Sequence, residues 1–512
     1  MSREEKFYVT TPIYYVNDIP HIGHAYTTVA ADVLARYKRL AGFKVFFLTG
    51  TDEHGKKVEK TALGNKERPI DLANRVVKRF QDLWERLMIS HDDFIRTSEE
   101  RHKKAVQKFF LTIQERGDIY LGEYEDWYCI PCETFLTEKQ LLDGKCPDCL
   151  RPTERIKEKS YFFRMSRYQK KLLDHIESHP EFIQPQTRRN EIVSFVKEGL
   201  RDLSVSRTSF SWGIPVPGNE EHVVYVWFDA LVNYLTAIGY PDDKDKLNNF
   251  WPAHVHLIGK DILRFHAVYW PTFLMSAGLP VPEKIFAHGW WTVDGEKMSK
   301  SLGNVVDPNQ VIDQYGVDAF RYFLLREVPF GMDGDFSHKA IVHRVNSDLA
   351  NDLGNLFSRS LSMVNKYWGG KIFKPEGFSK IDEELITVAL QVVEEVDTFI
   401  GELAFNQVLS SIWKLVGTTN RYIDNTSPWA VSKDESQKAR LNTVLYNILE
   451  SLRMLCILIS PFMPLTAEKM REGLGGDENV NSWSLKEVKS WGRLKVNGRI
   501  KMIAPLFPRI EC

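Results

Sequence analysis

The sequence of 512 residues has no excess of charge of either sign. Lysine and arginine number 67, aspartate and glutamate 68, and the formal net charge is -1. This balance excludes a protein that binds nucleic acid through a uniformly basic surface, but a large enzyme can still carry a local basic face. One basic stretch lies near the end, where seven lysines and arginines between Lys486 and Arg509 are opposed only by Glu487.

Secretory and membrane-spanning segments are also lacking. Residues 1–6 are largely charged, and the apolar run of about 7–15 residues that a signal peptide needs does not follow them. The most apolar late stretch, Met454 to Leu465, is short and contains Pro461 and Pro464. We therefore expect a cytoplasmic protein without a membrane contact. Its six cysteines should be reduced thiols in that compartment.

The length and the order of apolar patterns predict several domains. At about 150 residues per domain, this chain should contain three or four. Residues 7–10 and 45–48 read as buried strands around a helix from about His24 to Leu40, which is a βαβ unit. Such a unit begins a doubly wound parallel sheet. After an insertion the pattern resumes, with strands expected at 223–228, 254–258 and 285–287.

From about residue 340 the apolar spacing becomes helical, with helices expected at 385–400, 406–423 and 440–458, as in a bundle. We predict an α/β protein with a doubly wound parallel sheet, a cysteine-bearing insertion and a C-terminal helical bundle. The predicted segments are residues 1–118 (first half of the sheet domain), 119–225 (insertion), 226–339 (second half) and 340–512 (helical domain and tail).

His21 and His24 lie where the first strand gives way to the first helix. A helix N-terminus attracts phosphate, and both imidazoles can donate hydrogen bonds to phosphate oxygens. Gly23 lets a nucleotide lie against the backbone. Ordinary turn polarity is the alternative interpretation of the two histidines.

A second segment suited to phosphate is Lys297-Met298-Ser299-Lys300-Ser301. Two lysines on a mobile loop can stabilise a pyrophosphate on which charge develops. Taken alone, such a segment is more simply a solvated loop. The pairing of the two segments in one chain favours a nucleotide-dependent reaction.

Four cysteines have the spacing of a zinc site. Cys129 and Cys132 are separated by two residues, and so are Cys146 and Cys149. Thiolates at this spacing bind zinc tetrahedrally. Disulfides are the alternative, and they conflict with a reducing compartment. We expect one structural zinc per chain, without an open coordination position for catalysis.

The segments His21-Ile22-Gly23-His24 and 297–301 together resemble the two signature motifs of class I aminoacyl-tRNA synthetases. Further runs, Thr51-Asp52-Glu53-His54-Gly55, residues 225–230 and residues 256–262, resemble the methionyl-tRNA synthetase family. The resemblance implies a Rossmann-type catalytic domain that forms methionyl-adenylate from methionine and ATP with Mg²⁺. It also implies transfer of the methionyl group to a tRNA with a CAU anticodon.

The resemblance also assigns residues to these substrates. His21, Gly23, His24 and residues Lys297, Met298, Ser299, Lys300 and Ser301 would bind ATP, with His21, His24, Lys297 and Lys300 catalytic. Asp52 would hold the substrate ammonium, and the side-chain pocket would be lined by Ile13, Tyr15, Trp227, Ala230, Tyr234, Ile262, Phe265 and His266. A polarizable thioether suits an aromatic pocket, and a tyrosine hydroxyl such as that of Tyr234 can donate to it.

For the anticodon the resemblance implies Asn355, Arg359, Pro428 and Trp429. An exposed tryptophan beside a proline is a stacking platform for an unpaired base, and asparagine and arginine can read base edges. From the residues alone, a solvated helix face and a packed loop tryptophan are the alternatives. Trp227 and Tyr234 could likewise be plain core aromatics.

Other functions remain open at this point. Isoleucine and valine synthetases are expected to carry a long editing insertion, and a cysteine synthetase to place zinc ligands around its substrate pocket. A small-metabolite nucleotidylyltransferase shares the first motif but needs neither the second motif nor a bundle. A catalytically inactive RNA-binding relative would not need the histidines and lysines. We expect a monomer, with a separate partner chain as the alternative source of an additional tRNA-binding domain.

Overall fold

The structure, a computed structural model, describes residues 5–16, 19–130, 134–136, 138–147, 149–293, 295–298, 305–476 and 484–511. The chain forms two compact units. The sheet unit comprises Lys6–Pro20 and Val45–His288, and the helical unit comprises Met1–Glu5, His21–Lys44 and Gly289–Cys512. The four segments expected from the sequence stay a prediction.

In the described residues the strands are β1 (Lys6–Tyr15), β2 (Lys44–Asp52), β3 (Asp93–Arg96), β4 (Ile119–Cys129), β5 (Thr134–Leu136), β6 (Glu154–Phe163), β7 (Ile183–Gln184), β8 (Leu203–Ser204), β9 (Ser206–Arg207), β10 (Pro215–Val216), β11 (Asn219–Val224), β12 (Val255–Gly259), β13 (Ile285–His288), β14 (Trp291–Val293), β15 (Glu296–Lys297) and β16 (Gly334–Phe336).

The helices of the same residues are α1 (Ile22–Leu40), α2 (Lys56–Gly64), α3 (Pro69–Arg86), α4 (Glu100–Glu115), α5 (Gln169–Ser178), α6 (Gln186–Lys197), α7 (Val226–Leu231), α8 (Asn233–Thr236), α9 (Lys244–Phe250), α10 (Trp270–Ala277), α11 (Pro308–Tyr315), α12 (Val317–Arg326), α13 (His338–Arg344), α14 (Asn355–Trp368), α15 (Lys380–Gly401), α16 (Phe405–Thr426), α17 (Pro428–Val431), α18 (Lys438–Ile459) and α19 (Pro464–Gly473). Two π-helical segments, Phe265–Tyr269 and Val345–Gly354, and several short 3-10 helices are also present in the described residues.

A six-stranded sheet forms the centre of the sheet unit, in the order β3-β2-β1-β12-β13-β7. The pairs β1–β12, β12–β13, β13–β7 and β2–β3 are parallel, which confirms the predicted doubly wound sheet. Along the chain the sheet grows from β1 through β2 to β3 on one side and through β12 to β13 on the other. Such a reversal leaves a crevice at the carboxyl ends of the strands, where ligands of this fold class bind.

The insertion forms its own antiparallel sheet, in the order β5-β4-β6-β8, beside the small sheet β10-β11-β9. The predicted strand at 223–228 is wrong in its second half, because β11 ends at Val224 and α7 begins at Val226. Tyr225 accepts the first helical hydrogen bond, from the Asp229 amide at 2.9 Å. A short apolar run does not distinguish a strand from a buried helix, which explains the error.

The helical unit contains the predicted bundle. The helices expected at 385–400, 406–423 and 440–458 correspond to α15, α16 and α18. One segment, Glu435–Ile459, is long and apolar enough to span a membrane by length and composition, but 94% of its apolar window is buried within the structure. That burial is typical of a core helix, around which a bundle packs.

Helix α1 belongs to the helical unit and is fixed there along its length. At its start, the Ile22 amide donates to the Val306 carbonyl at 3.3 Å. In its middle, the buried Asp32 carboxylate accepts from Arg321 at 2.7 Å. Near its end, the Tyr37 hydroxyl donates to Asp397 of α15 at 3.0 Å. The helix that begins at the first motif is therefore held by contacts to α12 and α15.

Candidate active site and zinc cluster

His21 and His24 form a reciprocal cap at the N-terminus of α1. His21 Nδ1 accepts from the Gly23 amide, and His24 Nδ1 accepts from the His21 amide, both at 3.1 Å. The two rings stack with centroids 3.8 Å apart. Burial, with a smaller contribution from His21, lowers the pKa of His24 well below its usual value. A neutral imidazole whose Nδ1 accepts carries its proton on Nε2, so His24 is a neutral Nε2–H donor at neutral pH.

Gly23 packs closely against the His21 ring. A Cβ at position 23 would lie 3.0 Å from Cε1 and 3.1 Å from Nδ1 of His21. A larger residue would therefore require the His21 ring to shift by a few tenths of an ångström. The first amides of α1 are bonded within the chain, those of Ile22 to Val306 and of Gly23 to His21, so the helix offers a phosphate the positive end of its dipole.

Of the second motif, Lys297 is the last residue of β15 and pairs with Thr292 of β14, and Met298 is half-buried. Ser299, Lys300 and Ser301 lie outside the described residues, and so does the side chain of Lys297. The segment that follows returns to α1, through the Ile22–Val306 hydrogen bond. The main chain thus brings the segment just after the second motif to the beginning of the first.

Within the sheet unit, the predicted pocket residues of α7, α8 and the segment after β12 form one cluster. The rings of Trp227 and Phe265 stack with centroids 3.6 Å apart and planes at 5°. Trp227 also lies edge-on to His266 at 6.5 Å. Ala230 is buried one turn after Trp227, and Ile262 is half-buried against the same apolar core as Ile13.

Tyr234 and His266 are buried together at the base of this cluster. The Tyr234 hydroxyl lies 2.8 Å from His266 Nε2, and His266 Nδ1 lies 3.0 Å from the Ile262 carbonyl. Burial lowers the pKa of His266 to about 4, so the ring is neutral at neutral pH. A carbonyl accepts only, so Nδ1 carries the proton and Nε2 accepts from the tyrosine. The Tyr234 hydroxyl therefore donates its hydrogen bond to His266 Nε2.

The other pocket residues lie at the carboxyl ends of β1 and β2. Ile13 and Tyr15 are half-buried near the end of β1, and Asp52 is the buried last residue of β2. The Val16 amide donates to the Asp52 carbonyl at 3.2 Å, which joins the two strand ends. These are the ends at which a doubly wound sheet binds its ligands.

The four predicted anticodon residues lie on α14 and α17. Asn355 is exposed and Arg359 half-buried one turn later. Arg359 donates to the Asn420 side chain at 2.7 Å and to Asp424 at 3.1 Å, in the last two turns of α16. Two residues after α16, Pro428 is buried and begins α17, and Trp429 is 47% exposed. The structure therefore excludes a core position for this tryptophan.

Three of the four predicted zinc ligands converge. The sulfur atoms of Cys129, Cys146 and Cys149 all lie within 4.8 Å of one another, and those of Cys129 and Cys149 are 3.5 Å apart. Sulfurs around a tetrahedral zinc, at about 2.3 Å from the metal, lie roughly 3.8 Å from each other. The donor set therefore fits zinc. Cys132 lies outside the described residues.

The sequence did not predict the polar contacts made by the two residues that follow Asp52. Glu53 accepts from Arg96 at 2.6 and 3.0 Å. His54 lies 2.7 Å from Asp229, which lies 2.8 Å from His102. His54 and Asp229 could have been noticed in the sequence, because they lie in the runs 51–55 and 225–230 that resemble the family. His102 lies in no such run.

Comparisons with known proteins agree with this geometry. Residues 7–157 and 151–361 match the family described as tRNA synthetases class I (M), and residues 382–504 match the anticodon-binding domain of tRNA ligase. The chain is 55% identical over 509 residues to the methionine--tRNA ligase of Caldanaerobacter subterraneus subsp. tengcongensis, a match that covers 99% of this chain and 79% of the relative. It is 50% identical over 520 residues to the methionine--tRNA ligase of Bacillus subtilis. That match covers 99% of this chain and 78% of the relative.

A solved structure is similar over the whole chain. The Mycobacterium tuberculosis methionyl-tRNA synthetase in complex with methionyl-adenylate has a TM-score of 0.95 and 46% identity, and the match covers 99% of this chain and 100% of that one. The parallel sheet, the histidine cap after its first strand and the anticodon-binding domain define a class I aminoacyl-tRNA synthetase. Within this class, the sequence identity of about one half to methionine--tRNA ligases, along nearly the whole chain, specifies the family. The chain belongs to the methionyl-tRNA synthetase family.

Proposed function

We propose that this chain attaches methionine to tRNA in two steps. In the first, the methionine carboxylate attacks the α-phosphorus of ATP, a P–O bond forms, and pyrophosphate leaves. In the second, a ribose hydroxyl of the tRNA attacks the methionyl carbonyl, and AMP leaves. The carboxylate is already a nucleophile, so the first step needs alignment and charge stabilisation rather than a general base. Mg²⁺ enters with ATP.

The observation that best supports methionine as the substrate is the aromatic cluster of the sheet unit. Trp227 and Phe265 offer stacked apolar faces, and polarizable rings suit a flexible thioether. Because the Tyr234 proton is directed to His266, the sulfur would meet ring surfaces and the tyrosine oxygen rather than a donated proton. In this proposal Asp52 holds the substrate ammonium, and Ile13, Tyr15, Ala230 and Ile262 complete the pocket.

For ATP, the proposal assigns the phosphates to His21, His24 and the α1 N-terminus. Neutral Nε2–H donors hydrogen-bond phosphate oxygens without a charge of their own. Lys297 and Lys300 would supply the cations for pyrophosphate, with Met298, Ser299 and Ser301 completing the loop. Gly23 keeps the cap open to the nucleotide.

For tRNA, the exposed Trp429 would stack on a base of the CAU anticodon, and Asn355 and Arg359 would read base edges beside Pro428. Zinc held by Cys129, Cys132, Cys146 and Cys149 would stabilise the insertion, where four thiolates leave no position for a reacting group. A monomer in the cytoplasm belongs to the same proposal.

Amino-acid-dependent ATP–pyrophosphate exchange tests the proposal. Across all twenty amino acids, methionine alone should support strong exchange, and a tRNA with a CAU anticodon should be charged. Robust exchange with isoleucine or cysteine and none with methionine would refute it. Exchange in the absence of any amino acid would instead favour a nucleotidylyltransferase.

A further inference from the structure

A buried carboxylate in the sheet unit is held on both oxygens by histidines. Asp229 Oδ2 lies 2.7 Å from His54 Nδ1, and Asp229 Oδ1 lies 2.8 Å from His102 Nε2. Asp229 and His102 are fully buried, and His54 is 2% exposed. Burial alone would raise the pKa of Asp229, but the two histidines outweigh burial and hold it below its usual value. The carboxylate is ionised, and both imidazoles donate to it.

The three residues connect two segments that the proposed function assigns to opposite ends of methionine. Asp229 lies on α7 between Trp227 and Ala230, which belong to the proposed side-chain pocket. His54 is two residues after Asp52, the proposed ammonium ligand. The bond from His54 to Asp229 therefore joins the loop that follows β2 to the helix that bears the pocket.

Separate contacts fix the rest of the loop. Glu53 accepts from Arg96 of β3 at 2.6 Å and from Thr51 at 2.8 Å. The Gly55 amide donates to the Trp212 carbonyl at 3.0 Å. These contacts hold the loop to β3 and to the segment before β10, whereas His54 holds it to α7. Loss of the His54 bond should free the loop from α7 without unfolding it.

Stability alone is a poor account of this cluster. Removing charged groups from water has a large desolvation cost, and a buried ion pair seldom stabilises a protein more than apolar residues of the same volume would. The hydrogen bonds of 2.7 and 2.8 Å instead hold the side chains of His54, Asp229 and His102 in a fixed geometry. Second-layer carboxylate–histidine contacts orient functional residues in this way in other enzyme sites.

We propose that Asp229 is a positioning residue for methionine binding, which through His54 sets the distance from the ammonium ligand Asp52 to the side-chain pocket on α7. His102 fixes the second oxygen of Asp229 and so fixes its rotamer. The inference rests on the proposed function, because it assumes that methionine occupies this site. It assigns to Asp229, His54 and His102 a role in binding the amino acid and none in binding ATP.

The donor atoms define the test variants. Asparagine places its Nδ2 where a histidine has Nδ1, so His54→Asn retains a donor toward Asp229, whereas His54→Leu removes it. The matched control is Asp118→Asn, which alters another buried carboxylate of the sheet unit. Asp118 accepts from Arg167 at 2.9 Å and from Ser276 at 2.8 Å. The assay is exchange kinetics on the full chain, with separate titrations of methionine and ATP and a melting curve for each preparation.

His54→Leu and Asp229→Asn should raise the methionine KM about ten- to hundredfold, as expected when a binding group moves by about 1 Å, with the ATP KM within about threefold of the wild type. His54→Asn should restore most of the loss. Asp118→Asn should lower the melting temperature and leave the methionine KM unchanged. A further probe is 4-(methylthio)butanoate, which keeps the thioether and lacks the ammonium. Its inhibition constant should be the same in the wild type and in His54→Leu.

Several outcomes would overturn the inference. An unchanged methionine KM in His54→Leu would do so, and so would an equal rise in the KM for methionine, the KM for ATP and the inhibition constant of the probe, because that pattern means a collapsed pocket. Equal defects in His54→Asn and His54→Leu would also count against it. Failure of the proposed function would appear differently, as a wild-type enzyme that shows no methionine-dependent exchange.

Discussion

Replacing Trp429 with alanine should separate the two half-reactions. The side chain is 47% exposed on α17. A fully buried tryptophan cut to alanine costs about 3–5 kcal/mol of stability, and a half-exposed one about half of that. If the ring stacks on an anticodon base, its loss removes about 1–3 kcal/mol of tRNA binding. At about 1.4 kcal/mol per factor of ten, charging efficiency should fall roughly ten- to hundredfold.

The assay measures exchange, charging and melting on the same preparation of Trp429→Ala. Methionine activation needs no tRNA, so exchange should stay within about twofold of the wild type, a difference of roughly 0.4 kcal/mol in the barrier. Normal charging of a tRNA with a CAU anticodon would refute the stacking role. Parallel loss of both activities with a lowered melting temperature would mean that the ring is structural instead.

A second tryptophan of the helical unit is the control. Trp413 is half-buried on α16, its ring lies 4.7 Å from that of Tyr322, and its Nε1 donates to the Asp348 carbonyl at 3.3 Å. Trp413→Ala should lower the melting temperature and reduce exchange and charging together. A difference between the two variants therefore reports on the role of Trp429 rather than on the loss of any indole ring.

Three further predictions concern the metal, the second motif and a buried histidine. The wild type should contain one zinc per chain by elemental analysis, and Cys146→Ser with Cys149→Ser should lose it; a wild type without zinc would contradict this. Lys300→Ala should lower the kcat of exchange far more than it raises the methionine KM, and the opposite split would remove its role with pyrophosphate. The pKa of His266 is lowered from 6.5 to about 4, so the unfolded chain takes up this proton at a higher pH than the folded chain does. The stability that His266 contributes is therefore complete above pH 6.5 and is lost as the pH falls toward 4. The melting temperature of the wild type should therefore fall more steeply across this range than that of His266→Gln, and equal slopes would refute the assignment.

Much of the fold could be predicted from periodicity and spacing. The βαβ unit is confirmed, as are the strands that became β12 and β13 and the long helices α15, α16 and α18. Cys129, Cys146 and Cys149 converge, as the paired spacing of the cysteines predicts. The error at 226–228 arose because so short an apolar run has no period that separates a strand from a helix.

The supporting residues of the candidate site could not be predicted in the same way. His54 and Asp229 are 175 residues apart, and Asp229 and His102 are 127 apart. His54 and Asp229 lie in runs that resemble the family and His102 does not, but nothing in a single sequence shows that the three residues meet. The aromatic residues were easier to find, because Trp227 and Phe265 lie in runs whose composition already indicates a pocket or a core.

The buried Arg321 illustrates why such residues are not apparent from the sequence. In an apolar stretch of α12 an arginine is expected to reach solvent, yet this guanidinium is fully buried. Its Nε donates to the Phe462 carbonyl at 2.9 Å and its Nη2 to the Pro461 carbonyl at 2.8 Å, where the chain turns out of α18. These carbonyls lie in the turn between α18 and α19, where Pro461 and Pro464 have no amide hydrogen to donate.

The guanidinium satisfies those carbonyls, and Asp32 of α1 balances its charge at 2.7 Å. Removing Asp32 would take from the buried guanidinium the carboxylate that accepts its hydrogen bond, whereas removing Arg321 would leave two buried carbonyls and a carboxylate with fewer donors. The need for an arginine at position 321 thus arises at the end of a helix some 140 residues later in the chain. A pattern read within one helix cannot contain that information, because the acceptors become neighbours of α12 only when the bundle has folded.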